Sequence, residues 1–118
     1  MNVLLLGGDG LLGRYLRAGV PEAYRVVAPG RVELDVCDVS AVSTLVRDLK
    51  PGWVVNASGF TDVDGAERNG DLAFAVNAKA VGDLAGICRE SGSSLLHFST
   101  DYVFHGQTDA FYSEDDGT

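Results

Sequence analysis

Residues 3–13 read VLLLGGDGLLG, an apolar run that leads into a cluster of glycines. The run is short enough for a buried strand, and the glycines let the backbone turn tightly, approach a ligand and pack the next helix against the sheet. Gly7, Gly10 and Gly13 follow a G-x-x-G-x-x-G spacing. With Gly8 in first place, the pattern also comes close to the G-x-G-x-x-G of dinucleotide-binding folds. Because a helix N-terminus attracts anions, the segment predicts a pyrophosphate site; a glycine turn without a ligand is the alternative.

Composition narrows the class of protein. The chain has 118 residues, 46% of them hydrophobic, and no stretch approaches the ~18 apolar residues of a membrane span, which predicts a single soluble α/β unit. The first apolar run breaks at Gly7, so we do not expect a secretory leader. A net charge of −8, from 17 acidic and 9 basic residues, argues against a nucleic-acid partner. Cys37 and Cys88 lack metal or C-x-x-C spacing and fit reduced thiols of a cytoplasmic protein.

Strand-like and helix-like segments alternate along the chain, which predicts a doubly wound parallel sheet with right-handed crossovers. The predicted strands are 3–6, 25–28, 32–34, 53–57 and 94–98. The predicted helices are 11–18, one through 42–49 that ends before Pro51, and a long one from its N-cap Asp71 to about residue 91.

A distinctive polar cluster follows each predicted strand. These clusters are the glycine turn, Arg31, and residues 35–38, 56–64 and 99–102. In an open parallel sheet the ligand lies beyond the carboxyl ends of the strands. We therefore expect all five clusters to border one crevice.

Other polar residues have structural explanations. Asp62, Asp64 and Glu67 lack a recognised metal-ligand spacing and are better explained by a capped helix start, so no metal site is predicted. His97 lies inside an apolar strand and is predicted to be a packed core imidazole. Asn77 lies within the long helix and is expected to face either the strand ends or a partner helix.

Several blocks of the chain, taken together, resemble a known family. The blocks are GGDGLLGRYL, ELDVCD, KPGWVVNASGFTDVDGAE, FAVNAKAVGDLA, HFSTDYVFHG and FYSEDD, and STDYVF together with the NAS and TDVD-x-AE segments is the most specific. In this order they resemble the dTDP-4-dehydrorhamnose reductase family, extended short-chain dehydrogenase/reductases that reduce 4-keto sugars on a nucleotide. The resemblance runs over the whole chain and implies an incomplete NAD(P)-binding Rossmann-like domain over residues 1–118.

The resemblance also assigns roles to individual residues. A catalytic hydroxyl is implied at Thr100, which would donate a hydrogen bond to the keto oxygen of the substrate. Tyr102 would hold the loop that carries Thr100 and is also a candidate substrate contact. For Asn77 the resemblance implies structural hydrogen bonds and not a chemical role. The implied cofactor contacts are Gly7, Gly10 and Gly13 at the pyrophosphate, Leu11 and Leu12 along it, Asp35 and Val36 at the adenine, and Ala57, Ser58 and Gly59 on the ribose and nicotinamide side.

Charge near the second strand bears on the choice of cofactor. Sites that prefer NAD commonly carry an acidic residue at the end of that strand, and residues 28–31 contain none. Arg31, with Arg14 from the glycine turn, could pair with a 2′-phosphate instead. We therefore predict NADPH as the cofactor, with NADH as the alternative, and solvated surface charges as the alternative explanation of the two arginines.

One part of the family pattern is missing. The family's catalytic tyrosine and lysine form Y-x-x-x-K, and no tyrosine among these residues has a lysine four positions later. We accordingly expect a doubly wound sheet cut short before the Tyr/Lys helix and the substrate lobe. The predicted function is NADPH-dependent reduction of a 4-keto group on a dTDP-linked 6-deoxyhexose by the full-length form, with this portion alone inactive. A homodimer of that form stays open. The alternative is a non-catalytic dinucleotide-binding subunit similar to the β subunit of methionine adenosyltransferase.

Overall fold

The computed structural model describes residues 1–118 as one parallel sheet with helices on its faces. The strands are β1 (Asn2–Leu6), β2 (Arg25–Val27), β3 (Trp53–Asn56) and β4 (Ser94–His97). The helices are α1 (Leu11–Gly19), α2 (Val39–Leu49), α3 (Val63–Arg68), α4 (Gly70–Phe74) and α5 (Ala80–Ser91). A π-helical segment (Ala75–Lys79) joins α4 to α5, and a 3-10 turn (Asp101–Val103) follows β4.

The strand order is β2-β1-β3-β4, and all three pairings are parallel. The chain therefore moves from β1 to β2 on one side and then crosses back to β3 on the other side. This reversal makes the carboxyl ends of β1 and β3 the topological switch point, where open α/β sheets bind their ligands. The predicted doubly wound parallel sheet is confirmed.

The main core lies between the sheet and the helix pair α2 and α5. Its buried members are Leu4, Leu6, Val42, Val46, Val54, Leu84 and Cys88. Leu5, also buried, points to the opposite face because side chains alternate along a strand. Both faces of β1 are thus covered, which explains why its sequence is continuously apolar rather than alternating.

The predicted third strand at 32–34 is wrong, and the sheet has four strands instead of five. The N–H groups of Glu33 and Leu34 both donate to the carbonyl oxygen of Gly30, at 2.9 and 3.0 Å, which closes a turn. Val32 is fully exposed in this turn. Asp35 and Val36 consequently lie in a loop before α2 and do not follow a strand.

The long helix is also more complex than predicted. It begins at Gly70 with Asn69 as its N-cap, so Asp71 lies in the first turn and is not the cap. The helical path then passes through the π segment, where one extra residue is accommodated. It ends with α5 at Ser91, and Gly92 caps this end in the left-handed conformation with φ 72°.

Candidate functional site

Close packing explains two glycines of the turn after β1. Gly7 has a φ of 76°, which glycine adopts without strain, and a Cβ atom there would lie 2.5 Å from the backbone nitrogen of Ser58. A Cβ atom at Gly13 would overlap the carbonyl oxygen of Gly7. The first contact joins the β1 turn to the β3 loop, and the second holds α1 against the turn.

Gly10 is different, because packing constrains it less than it constrains Gly7 and Gly13. Its φ of −70° suits any residue, and a Cβ atom there would meet only the carbonyl oxygen of Gly7, at 3.3 Å. Gly10 is the N-cap of α1, so no side chain caps the helix, and the first turn contains no acidic residue. Leu11 is 72% exposed at the same helix end. An uncapped helix N-terminus with open space in front of it fits a bound phosphate.

The loop after β3 lies against the glycine turn. The N–H of Ala57 donates to the carbonyl oxygen of Leu6, at 3.0 Å, which extends the β1–β3 pairing by one residue. Ser58 donates both its backbone N–H, at 3.0 Å, and its hydroxyl to the Oδ1 atom of Asn56. The structure therefore brings the predicted residues Ala57 and Ser58 next to Gly7, as expected for two sides of one site.

Asn77 in the π segment fixes the next part of this loop. Its Oδ1 atom accepts the N–H of Phe60, at 2.8 Å, and its Nδ2 atom donates to the carbonyl oxygen of Phe60, at 3.0 Å. A Cβ atom at Gly59 would lie 3.5 Å from Asn77 Oδ1, an ordinary contact. The predicted structural role of Asn77 is confirmed.

The turn after β2 contains carboxylates that the sequence argument did not consider. The N–H of Gly30 donates to Glu33 Oε2, at 2.7 Å. A Cβ atom at Gly30 would lie 2.8 Å from Asp9 Oδ2, so the carboxylate of the glycine turn also approaches this point. Arg31 is exposed and forms no ion pair within the chain. The three-residue spacing of Gly30 and Glu33, which is typical of a turn, is the feature of the sequence that could have predicted this contact.

Asp35 and Val36 lie in the loop before α2. Asp35 Oδ1 accepts the N–H of Cys37, at 2.9 Å. Partial burial raises the pKa of the Cys37 thiol, and the Asp35 carboxylate raises this pKa further. These contacts are local to the loop.

Thr100 and Tyr102 lie beyond the carboxyl end of β4. Thr100 Oγ1 accepts the N–H of Tyr102, at 3.2 Å, and caps the 3-10 turn; it also lies 3.4 Å from Asp101 Oδ1. Tyr102 is 75% exposed. The hydroxyl of Thr100 therefore caps the 3-10 turn by accepting a hydrogen bond. In its predicted catalytic role it would have to keep this bond while it donates to the substrate.

A groove of about 570 Å³ lies between the turn after β2 and α2, and no residue of the glycine turn lines it. Its lining includes the carboxylates of Glu33, Asp38 and Asp48, which would repel a phosphate. We therefore assign the candidate site to the switch point and not to this groove.

Two further structural findings concern metals and membranes. Asp62 accepts the N–H of Gly65, at 2.8 Å, and caps α3, which confirms the capped helix start. No group of three or more His, Cys, Asp or Glu side chains is arranged to share a metal ion. No helix combines the length and the apolar character that crossing a bilayer requires.

A parallel sheet with a glycine turn and an open helix N-terminus at its switch point defines a Rossmann-like fold. The model of one family, the RmlD substrate binding domain, matches residues 1–118. The chain belongs to this family.

Curated relatives agree with this assignment and with the resemblance drawn from the sequence. The dTDP-4-dehydrorhamnose reductase of Burkholderia thailandensis is 39% identical over 100% of this chain and 40% of its own length. The enzyme of the same name from Streptomyces griseus is 42% identical over 98% of this chain and 38% of its own length. The chain thus spans about 40% of the length of these relatives.

Solved structures give the same picture. The dTDP-4-dehydrorhamnose reductase of Bacillus anthracis, solved in complex with NADP, superposes with a TM-score of 0.94 at 32% identity, over 98% of this chain and 42% of that one. A UDP-glucose-4-epimerase from Stenotrophomonas maltophila reaches a TM-score of 0.80 at 19% identity over 100% of this chain and 42% of that one, which shows a shared fold.

Proposed function

We propose that this chain forms the dinucleotide-binding part of an NADPH-dependent reductase that acts on the 4-keto group of a dTDP-linked 6-deoxyhexose. The observation that carries this proposal is the uncapped N-terminus of α1 at Gly10, open in front and adjacent to the β3 loop. The names of the similar reductases, and the NADP bound to the Bacillus anthracis protein, support the cofactor and the reaction class.

The proposed cofactor contacts follow the carboxyl ends of the strands. The pyrophosphate would lie at Gly7, Gly10 and Gly13, with Leu11 and Leu12 beside it. The nicotinamide side would contact Ala57, Ser58 and Gly59, and the adenine would contact Asp35 and Val36. When bound, the reduced dinucleotide supplies a hydride to the substrate carbonyl.

Arg31 is proposed as the partner of the 2′-phosphate of NADPH. It is exposed and pairs with no carboxylate, so its guanidinium is available for a phosphate. Asp9 and Glu33 act in the opposite direction, because their carboxylates lie close to Gly30 and disfavour a second anion. Use of NADH therefore stays an alternative.

Thr100 and Tyr102 are the proposed contacts to the nucleotide sugar. The Thr100 hydroxyl would donate a hydrogen bond to the keto oxygen and stabilise the negative charge that develops there. Tyr102 presents an exposed ring and hydroxyl next to it.

We place the protein in the cytoplasm, since both cysteines are free thiols.

Binding and turnover test the proposal separately. We expect NADPH to bind in a fluorescence titration and to protect the glycine-turn amides in hydrogen exchange. We expect NADPH oxidation by the complete protein only when a dTDP-4-keto-6-deoxysugar is added. Failure to bind either nicotinamide cofactor would contradict the site. Binding without turnover by the complete protein would favour the regulatory-subunit alternative.

A further inference from the structure

Asn56 is a fully buried polar residue that the proposed chemistry does not use. It is the last residue of β3, its exposed fraction is 0%, and it lies directly before the proposed cofactor loop. A buried amide is costly unless its polar atoms are hydrogen-bonded. Its partners therefore identify what the residue does.

One side of the Asn56 amide must be its oxygen. The backbone N–H of Ser58, which can only donate, points to this atom at 3.0 Å, and the Ser58 hydroxyl also bonds to it. The other side must then be the NH2 group, which can only donate. The orientation of the amide thus follows from its contacts.

The NH2 group faces a second side chain from the neighbouring strand. Asn56 Nδ2 lies 3.2 Å from Nδ1 of His97, the last residue of β4. Since the amide nitrogen donates, Nδ1 has to accept and cannot carry a proton. The neutral imidazole therefore has its proton on Nε2.

This chain of contacts runs from β4 to the cofactor loop. His97 Nδ1 holds the NH2 group of Asn56, and this fixes the amide so that its oxygen receives both donors of Ser58. The backbone of Ser58 in turn packs against Gly7, where a Cβ atom would come within 2.5 Å. The predicted role of His97 as a simple packed imidazole is therefore too narrow, because the ring is half-buried and hydrogen-bonded.

We propose that His97, as the neutral Nε2–H tautomer, is a positioning residue that acts through Asn56 to hold Ser58 in place for the dinucleotide. The consequence for cofactor affinity rests on the proposed dinucleotide site, whereas the tautomer and the order of the loop do not. Removal of the acceptor at Nδ1 would leave a buried donor unpaired and would free the amide to rotate.

A pair of variants separates this role from space filling. His97→Asn places its Oδ1 atom on the same carbon as the imidazole Nδ1, so it retains an acceptor in reach of Asn56. His97→Gln carries the same amide one bond further away, nearer the position of Nε2. We expect His97→Asn to keep its NADPH affinity within about threefold of the wild type and His97→Gln to lose about tenfold.

Two measurements do not depend on the cofactor. Long-range proton–nitrogen NMR of the wild-type protein should show the His97 proton on Nε2, and a proton on Nδ1 would overturn the proposal. Hydrogen exchange of the Ser58 amide should be similar in the wild type and His97→Asn and about tenfold faster in His97→Gln. Equal exchange in the two variants would also overturn it.

The affinity results have distinct meanings. If the wild type binds NADPH and the two variants bind it equally, His97 does not position the loop for the cofactor and the inference fails. If the wild type binds no dinucleotide, the proposed function fails and so does the link to cofactor affinity. The tautomer and the Ser58 exchange then decide whether His97 orders the loop at all.

Discussion

Three glycines of the turn after β1 are constrained for different physical reasons. At Gly7 and Gly13 the backbone packs so closely that a methyl group would collide with other backbone atoms. At Gly10 a Cβ atom would meet a single backbone oxygen, that of Gly7, in a tight contact of 3.3 Å. The first two positions are therefore constrained chiefly by the fold, and at the third the proposed pyrophosphate would add the stronger constraint.

This difference predicts the behaviour of Gly10→Val. We expect NADPH affinity to fall at least ~tenfold, because the side chain would occupy the space of the pyrophosphate. The free energy of unfolding should fall by only about 1–2 kcal/mol, because φ is −70°, valine is a poorer N-cap than glycine, and the one tight contact is with the carbonyl oxygen of Gly7. Fluorescence titration and urea denaturation measure the two quantities.

Gly82→Val is the matched control, since nothing lies within 4 Å of a Cβ atom at that helical glycine. It should leave NADPH affinity unchanged. Undiminished affinity in Gly10→Val would remove the basis for the pyrophosphate site.

Thr100 is tested by a second residue-scale substitution. Thr100→Val in the complete protein should lower turnover about 100-fold, because the hydrogen bond to the developing oxyanion is lost, and should leave NADPH affinity nearly unchanged. The valine also loses the contact that Thr100 Oγ1 accepts from the N–H of Tyr102. Thr100→Ser keeps both hydrogen bonds and should restore most of the turnover. Wild-type turnover in Thr100→Val would contradict the catalytic assignment.

At the scale of elements, helix caps and turns decide where segments begin. Asp38 caps α2 by accepting the N–H of Ala41, at 3.0 Å, and Val42 and Val46 then enter the core four residues apart. The same type of local bonding ends the expected strand at 32–34, because two N–H groups close on the carbonyl of Gly30. A segment of only three residues forms a turn here and not a strand, because the turn already supplies hydrogen bonds to its backbone N–H groups.

The cap predicts a stability difference between two aspartates of α2. Asp38→Ala should lower the free energy of unfolding by about 1 kcal/mol, because an N–H at the helix start loses its partner. Asp48→Ala should cost much less, since Asp48 pairs only with the neighbouring Arg47 on an exposed surface. Chemical denaturation of both variants measures the difference, and equal losses would contradict the cap assignment.

At the scale of the whole molecule, the order of the strands brings the two parts of the candidate site together. β1 and β3 are neighbours although their sequences are far apart, so the glycine turn and the β3 loop lie side by side. β4 pairs with β3 alone and is an edge strand. Leu96 and Phe98, on and just after this strand, are exposed, which leaves the β4 side apolar as well as open to pairing.

The packing of the molecule also predicts how its two thiols react. Cys88 is buried in the core between the sheet and its helices, and burial raises its pKa. Cys37 is only partly buried in the loop before α2, although its pKa is also raised, chiefly by burial. At pH 8 a thiol reagent should modify Cys37 slowly and Cys88 only at the rate of global unfolding.

Mass spectrometry of each labelled peptide over a denaturant series measures this, and a Cys37→Ser variant isolates Cys88. Equal rates for both thiols in the native protein would contradict the assignment of Cys88 to the core.

Because the folded state holds these thiol protons more tightly than the unfolded chain, their contribution to stability is lost as pH rises through the raised thiol pKa values.

The sequence by itself determined most of the local elements and the family. An apolar run before glycines, a proline after a helix and an acidic cap each act within a few residues, so β1, α1 and α2 could be predicted near their true positions. The family motifs were also readable, because they are contiguous blocks. These signals suffice to predict a doubly wound sheet with a glycine turn after its first strand.

Only the tertiary structure decided which distant residues meet. Three contacts join segments that are far apart in sequence. Gly7 packs against Ser58, Asn56 hydrogen-bonds to His97, and Asn77 hydrogen-bonds to Phe60. Hydrophobic periodicity reports which face of an element is buried, but it does not specify the partner atoms across a sheet or a loop. Those partners are determined only once the strands have paired, because each buried polar group of the backbone and side chains then has to be hydrogen-bonded.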